Sequence, residues 1–331
     1  MQRLLVPVAF LLALSSLVSS QSSSGGSAGA PSTAPSVSPQ HQKGDYVTVN
    51  GARLWYESEG SGEALVLIAG GPGISHDYFH PYFSVLRDSF RVIYFDAFGR
   101  GKSDRAKNLS EYTFARDVED VEGLRKALNL GKINVLGHSY GGTAAQSYAL
   151  RFPDSVRRLI VVDSSFSGEM WQANNDNSNN ELRNQFPETW EKIRQVREQG
   201  FNTCSKEYQE VSDFPPAFLM FYNASNFEKL IEGGGSLNND VYCAIVGPDA
   251  DFMVSGEISK LDFRQDLGKL RMPMLIMEGR FDRVVSPSWA VQYKRYAPQA
   301  QFVMFEKSGH FPFIEETDYA MRILRDFLDK Q

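Results

Sequence analysis

Apolar runs that alternate with helical patterns dominate the chain from about residue 45 onward. Six of these runs have the length of a strand: 64–69, 91–95, 133–136, 159–162, 274–277 and 302–305. Segments of helical composition separate most of them: 115–129, 142–152, 286–297 and 316–329. Continuously apolar strands that alternate with helices are typical of a mostly parallel sheet covered on both faces. The pattern therefore predicts an α/β fold with helices on both sides of the sheet.

Two shorter segments in which apolar and polar residues alternate precede this pattern, at 46–50 and 53–57. They flank Asn50 and Gly51. An Asn-Gly pair between alternating segments favours a tight hairpin turn. We therefore expect the folded part of the chain to begin, near Asp45, with an antiparallel hairpin.

Residues 165–260 interrupt the alternation of strands and helices. Aromatic residues are scattered there among long polar stretches. Helical patterns occupy three parts of the segment: 181–199, 205–212 and 216–232. Because the segment is inserted between two predicted strands of the sheet, we interpret it as a helical cap over the carboxyl edge. The α/β core then consists of residues 43–164 and 261–331.

The N-terminal segment differs from the rest of the chain in composition. Residues 1–20 combine Arg3, a short apolar run and small residues before a possible cleavage site, the pattern of a secretory signal peptide. The apolar run is shorter than the ~20 residues needed to span a bilayer, and an uncleaved membrane anchor is the alternative. Residues 21–42 are almost entirely Ser, Gly, Pro, Ala and Gln, which predicts a disordered tether. We therefore expect a secreted or periplasmic protein without stable membrane insertion after cleavage.

Composition and charge restrict the classes of partner. The chain has 331 residues, of which 42% are hydrophobic and 22% charged, as in ordinary globular proteins. The formal net charge is −6 and no basic cluster stands out, which argues against nucleic acid and anionic membranes as partners. Cys204 and Cys243 either pair in a disulfide or remain two buried thiols. Neither cysteine has neighbours at metal-ligand spacing, so no metal site is expected around them.

The strongest chemical motif lies at residues 137–142, GHSYGG, between a predicted strand and a predicted helix. A G-x-S-x-G turn in that context is a nucleophile elbow, which presents a strained serine above the carboxyl edge of a sheet. Gly137 and Gly141 fit this interpretation because strand and helix approach too closely there for side chains. The bare motif also fits a glycine-rich turn with a capping serine. The flanking elements favour Ser139 as a nucleophile.

A base and an acid follow the last two predicted strands. His310 comes directly after the run at 302–305, and Asp282 comes directly after the preceding one. The order Ser139, Asp282, His310 is the order of a triad on the α/β-hydrolase fold. Asp163, after an earlier strand, is the alternative acid. Asp96 also follows a strand, but it opens a Gly-Arg-Gly turn, so we assign it a structural role.

The predicted chemistry is acyl transfer. Ser139 attacks a carbonyl carbon, His310 takes the hydroxyl proton and returns it to the leaving group, and Asp282 orients the imidazole. The tetrahedral oxyanion needs two preorganised donors. We expect them to be the backbone N–H of Tyr140, directly after the nucleophile, and that of Gly71 in the glycine-rich loop after the run at 64–69.

Several segments together resemble the proline iminopeptidase family. They are the five segments 70–78, 96–103, 137–142, 247–256 and 279–287. The similarity covers about residues 45–330 and is strongest to the branch that includes the tricorn-interacting aminopeptidase. It implies an α/β hydrolase with a helical cap that releases N-terminal residues, often proline, from short peptides without a cofactor.

The chain departs from that family at positions that affect specificity. Ala69 stands where the family's oxyanion loop usually begins with histidine, and Ala97 stands where glutamine is common. The resemblance implies that a cap carboxylate binds the substrate's free amine, and Asp251 or the neighbouring Glu257 is the candidate. Arg283 follows the acid where the branch has glutamate, and an arginine facing the cavity would repel an ammonium group.

Alternative functions remain open at this point. A carboxylesterase, a lactonase or a C–C bond hydrolase would use the same triad with a different pocket. A non-catalytic binding protein could share the fold, but the complete set of Ser139, Asp282 and His310 argues against it. The sequence thus predicts a secreted serine hydrolase that acts on a small peptide or ester substrate, with no metal and no cofactor. It does not predict the oligomeric state.

Overall fold

The computed structural model describes residues 44–213, 215–233 and 235–330, without the side chains of 231–233. The predicted signal peptide at 1–20 and the predicted tether at 21–42 lie outside the described residues. Within the described ranges, no helix combines the length and the apolar character that crossing a bilayer requires.

One sheet of eight strands forms the centre of the described part of the chain. The strands are β1 Asp45–Val49, β2 Ala52–Glu59, β3 Glu63–Ile68, β4 Phe90–Phe95, β5 Ile133–His138, β6 Val156–Val162, β7 Met274–Gly279 and β8 Gln301–Phe305. Their order across the sheet is β1-β2-β4-β3-β5-β6-β7-β8. The pairs β1–β2 and β2–β4 are antiparallel, and all other pairs are parallel. This topology confirms the predicted α/β fold and its N-terminal hairpin.

The central strands are buried along their whole length because helices cover both faces of the sheet. All six residues of β5 are buried, and so are all six of β7. In parallel neighbours the carboxyl ends lie at the same edge. The loops after β3, β5, β6, β7 and β8 therefore converge there, which places the predicted site residues at one edge of the sheet.

Twelve α-helices occur in the described residues. They are α1 Phe114–Ala127, α2 Tyr140–Arg151, α3 Gly168–Gln185, α4 Pro187–Glu198, α5 Lys206–Val211, α6 Ala217–Met220, α7 Phe227–Gly233, α8 Asn239–Val246, α9 Pro287–Ala290, α10 Tyr293–Tyr296, α11 Pro312–Glu315 and α12 Thr317–Leu328. Helices α3 to α8 lie between β6 and β7 in the chain and form the cap segment.

The first cap helices differ from the sequence prediction of a single helix over 181–199. Helix α3 begins at Gly168, where the Ser167 side chain accepts a hydrogen bond from the Met170 N–H. Its buried face includes Asn174, Asn175 and Ser178. Because this face is polar, the sequence shows no apolar stripe that would predict the first part of the helix. A second helix begins at Pro187, because proline fits the first turn of a helix but cannot continue the preceding one.

The two cysteines form a disulfide that crosses the cap. Cys204, before α5, is bonded to Cys243 in α8, with 6.2 Å between the Cα atoms. Of the two alternatives that the sequence left open, a disulfide or two buried thiols, the structure shows the disulfide. Closing a loop of this length, a sequence separation of 39, stabilises a fold by about 4 kcal/mol in the chain-entropy treatment.

Candidate active site

The loop between β5 and α2 holds Ser139 in a strained conformation, with φ 55° and ψ −123°. A Cβ on Gly137 would lie 2.0 Å from the Gly141 carbonyl oxygen, and one on Gly141 would lie 2.1 Å from the carbonyl oxygen of Ile68. Both glycines are therefore required by close backbone packing. The Ser139 N–H donates to the Val162 carbonyl at 2.9 Å, which ties the turn to the end of β6.

His310 and Asp282 lie after the neighbouring strands β8 and β7. His310 Nδ1 lies 2.7 Å from Asp282 Oδ2. The other carboxylate oxygen of Asp282 accepts the N–H groups of Val284 and Val285, at 2.7 and 2.9 Å. His310 is fully buried, and its Nε2 has no hydrogen-bond partner among the described residues. The pair therefore has an oriented imidazole with one nitrogen available for proton transfer.

A chain of hydrogen bonds connects this histidine loop with the glycine-rich loop after β3. His138 Nε2 lies 2.8 Å from the His310 carbonyl oxygen, which can only accept, so Nε2 is the protonated nitrogen. The Tyr78 hydroxyl then donates to His138 Nδ1 at 2.9 Å and accepts the Gly70 N–H at 2.6 Å. Burial, followed by the nearby His310, lowers the pKa of His138 well below its ordinary value. His138 is therefore a neutral bridge between the two loops.

Sequence reasoning did not single out Tyr78 or His138. Their partners lie far away in the chain, since His138 and His310 are 172 residues apart. The only local signal is that Tyr78 closes the segment 70–78 and that His138 occupies the variable position of the elbow. Neither position shows its hydrogen-bond partner before the loops are brought together.

Ser139 opens into a small cavity of about 40 Å³ beneath the cap. Eleven residues line it: Gly71, Pro72, Ser139, Tyr140, Ser165, Trp171, Asn174, Asn175, Tyr242, Val284 and Val285. The structure thus brings the predicted oxyanion donors, Gly71 and Tyr140, to the same cavity as Ser139, the predicted nucleophile. Tyr140 also begins α2, so its N–H lies at the positive end of the helix dipole. None of the lining residues in the described ranges has a charged side chain.

Asp251, the predicted amine-binding acid, is buried in the cap behind the cavity wall. Its carboxylate accepts hydrogen bonds from the hydroxyls of Tyr208 and Tyr242, at 3.0 and 3.3 Å. Burial raises the pKa of Asp251 to about 7, against the opposing effect of these two hydroxyls. Tyr242 lines the cavity and Asp251 does not. The Tyr242 phenol, which is hydrogen-bonded to Asp251, therefore stands between the carboxylate and the cavity.

Glu257, the second predicted acid, lies at a different place. Its carboxylate accepts the N–H groups of Phe114 and Ala115, the first residues of α1. A carboxylate at this position satisfies unpaired N–H groups and interacts favourably with the helix dipole. Glu257 thus joins the cap segment to α1, and it is not among the residues that line the cavity.

Arg283 points away from the cavity. Its guanidinium donates to the Phe218 carbonyl oxygen at 3.0 Å and lies 4.7 Å from the centre of the Phe218 ring. The backbone N–H of Arg283 donates to Leu219, and its Nε lies 3.9 Å from Glu181. The residue therefore anchors α6 to the loop after β7, and it is not among the residues that line the cavity.

Two further buried carboxyl groups lie beside Asp282. Asp163 directly follows β6 and accepts the Gly279 N–H at 2.7 Å, and Glu278 lies in β7. One oxygen from each of the three acids lies within 4.8 Å of the others, a spacing that a metal ion would accept. Both oxygens of Asp282 are already hydrogen-bonded, which makes it a poor ligand. Burial raises the pKa values of Asp163 and Glu278 well above the ordinary range, and the neighbouring acids add to this effect.

Comparison with known proteins gives consistent similarities. The sequence profile of the alpha/beta hydrolase fold family matches residues 63–203 and 256–317. A proline iminopeptidase from Heyndrickxia coagulans is 30% identical over 292 residues, which cover 86% of this chain and 98% of that protein. A proline iminopeptidase from Saccharolobus solfataricus is 30% identical over 304 residues, with coverage of 86% and 92%. The crystal structure of a Mycobacterium smegmatis proline iminopeptidase has the same fold, with a TM-score of 0.68, 20% identity and coverage of 86% and 97%.

Proposed function

The chain belongs to the proline iminopeptidase family of α/β hydrolases, and from this premise we propose that it is a serine aminopeptidase acting on short peptides. Ser139 is the nucleophile, His310 the general base and Asp282 the orienting acid. The observation that supports this assignment best is the 2.7 Å contact between His310 Nδ1 and Asp282, with Nε2 left available. The strained conformation of Ser139 supports the same conclusion.

The proposed reaction proceeds through an acyl-enzyme. Ser139 Oγ attacks the carbonyl carbon of the N-terminal residue while His310 Nε2 removes its proton. The N–H groups of Gly71 and Tyr140 donate to the oxyanion that forms. His310 then protonates the leaving amine, and a water molecule activated by the same nitrogen hydrolyses the ester. Asp282 accepts a hydrogen bond from His310 Nδ1–H throughout the reaction and stabilises the imidazolium.

The size and the uncharged lining of the cavity favour a small substrate with an uncharged side chain. Trp171 and Val284 supply apolar walls, which suit the ring of an N-terminal proline. Asn175 Nδ2 donates to the Ala250 carbonyl oxygen at 2.6 Å, which leaves its amide oxygen as an acceptor at the cavity wall. In this proposal, that oxygen and the Tyr242 phenol contact the substrate's free amine. Asp251 then supplies negative charge behind Tyr242.

The test is a panel of matched arylamides and esters. Wild-type protein should cleave free proline arylamide at least about tenfold faster than the N-acylated compound, because the acyl group removes the ammonium that the wall binds. Asp251→Asn should reduce this preference while Ser139→Ala should abolish cleavage. Labelling with a fluorophosphonate, expected in wild type and absent in Ser139→Ala, verifies the nucleophile independently of substrate choice.

A carboxylesterase, a lactonase or a C–C bond hydrolase is the second candidate, and one observation favours this group. The cavity wall has no charged side chain among the described lining residues, so a neutral substrate needs no counter-charge there. Cleavage of the blocked arylamide as fast as the free one, or activity confined to esters, would select this candidate and remove the aminopeptidase.

A further inference from the structure

We propose that Glu57, His76 and His80 form a binding site for a transition-metal ion, with Zn²⁺ as the best match. Glu57 lies in β2, and the two histidines lie in and directly after the 3-10 turn His76–Phe79, which follows the Gly71 loop. None of the three lines the active-site cavity. The site is therefore separate from the proposed triad.

The distances between the three side chains match the spacing of ligand atoms around one metal ion. Glu57 Oε1 lies 3.6 Å from His76 Nε2, and Glu57 Oε2 lies 3.4 Å from His80 Nε2. Ordinary hydrogen bonds are shorter, at about 2.7–3.2 Å. Two ligand atoms that are each about 2.0–2.1 Å from a tetrahedral zinc ion are roughly 3.4 Å apart. One donor atom from each residue lies within 4.8 Å of the others, so a single ion can contact all three.

His76 is held in the orientation that a metal ligand needs. The carboxylate of Asp96 lies 2.8 Å from His76 Nδ1, and the same oxygen accepts the backbone N–H of His76 at 3.0 Å. His76 is 1% exposed, and its Nε2 has no hydrogen-bond partner among the described residues. A carboxylate on one ring nitrogen that leaves the other for the ion is the usual support of a zinc-bound histidine. Asp96 thus has a second role beside its structural one.

The surroundings allow a cation to enter. The Glu57 side chain is 14% exposed, so the site is open to solvent on that side. Oε1 of Glu57 also accepts the Trp55 indole N–H at 3.1 Å and lies 3.7 Å from the Lys102 ammonium. The Lys102 side chain is half exposed and can move into solvent when the ion enters. Two imidazoles and one carboxylate favour zinc over calcium or magnesium, which prefer sites built from oxygen ligands alone.

A proton is the natural competitor of the ion. Burial by itself lowers the pKa of His76, but the carboxylates of Asp96 and Glu57 outweigh it and raise the pKa to about 10. The consequence of metal binding would be a cross-link between β2 and the segment that contains Tyr78, whose hydroxyl accepts the Gly70 N–H beside the oxyanion loop.

The experiment uses tag-free protein, treated with a chelator and dialysed, with its serine blocked by fluorophosphonate so that the active-site histidine is covered. Titration calorimetry with zinc chloride should give one ion per chain. Cobalt chloride should give the visible absorption of Co²⁺ bound by nitrogen and oxygen ligands. Glu57→Gln and His80→Ala should each weaken binding on the order of 100-fold, since loss of even a supporting residue typically costs 10–100-fold.

His41→Ala is the matched control, because this histidine belongs to the predicted tether and its replacement should leave binding unchanged. The proposal is overturned if wild-type protein binds no zinc, if both cluster variants bind as tightly as wild type, or if His41→Ala removes binding. Thermal unfolding with zinc and with chelator adds a readout that needs no variant, since zinc should raise the wild-type Tm. Absence of that shift at saturating zinc counts against the site as well.

Discussion

The ends of β6 and β7 present two buried carboxyl groups in different hydrogen-bonding environments. Asp282, after β7, accepts two backbone N–H groups and contacts His310. Asp163, at the end of β6, accepts only the Gly279 N–H, and its second oxygen has no partner among the described residues. A carboxylate with several donors is stabilised in its charged form, whereas burial without donors favours the protonated form. Two acids that each follow a strand therefore have different environments, because the local N–H donors differ.

Glu278 strengthens the contrast. It is fully buried in β7, and neither carboxyl oxygen has a partner among the described residues. Burial raises its pKa well above the ordinary value, and Asp163 and Asp282 raise it further. Three acids this close cannot all be charged, because each ionisation disfavours the next. Burial and the neighbouring carboxyl groups therefore favour the protonated forms of Asp163 and Glu278.

The largest expected effect follows from replacing the Asp282 carboxyl group that contacts His310. Asp282→Asn should lower kcat for the preferred substrate by about four orders of magnitude, because the amide stabilises the wrong imidazole tautomer. The measurement is turnover at saturating substrate, with circular dichroism to verify the fold. A loss of less than about tenfold would show that another residue orients His310.

The corresponding change at β6 should have a much smaller effect. In Asp163→Asn the amide oxygen still accepts the Gly279 N–H, the side chain remains neutral, and asparagine tolerates the φ of 44° at this position. We expect kcat to change by less than about tenfold, which corresponds to under ~1.4 kcal/mol in the barrier. If Asp163→Asn gave the large loss and Asp282→Asn the small one, the triad acid would lie at the end of β6.

The sequence predicted the candidate residues that lie within short, recognisable motifs. Strand, glycine turn and helix follow one another around Ser139, and the strands before Asp282 and His310 are continuous apolar runs, so these positions followed from short segments. The roles of His138 and Glu278 depend on which loops and strands become neighbours. The start of α3 at Gly168 was missed because an asparagine-rich buried face has no apolar period. Asp251 was expected to line the cavity, but the Tyr242 phenol lies between its carboxylate and the cavity. This arrangement depends on how the cap helices pack, which the sequence does not show.

The smallest effect concerns Glu278 and appears in stability as a function of pH. Because the folded protein holds the Glu278 proton to a higher pH than the unfolded chain does, the folded state binds more protons above about pH 4.5. The free energy of unfolding of wild type therefore falls as pH rises, by up to ~1.4 kcal/mol per pH unit for this group. Glu278→Gln removes the pH-dependent fall in the free energy of unfolding that Glu278 causes. The stability of the variant relative to wild type should therefore increase between pH 5 and pH 7, as measured by urea unfolding. Glu306→Gln is the control: the Arg280 ion pair lowers the pKa of Glu306, so this group is ionised in both the folded and the unfolded state between pH 5 and pH 7, and the difference from wild type should stay constant there. A Glu278→Gln difference that is equal at both pH values would mean that Glu278 is ionised in the folded protein, and the contrast between the two strand ends would then be wrong.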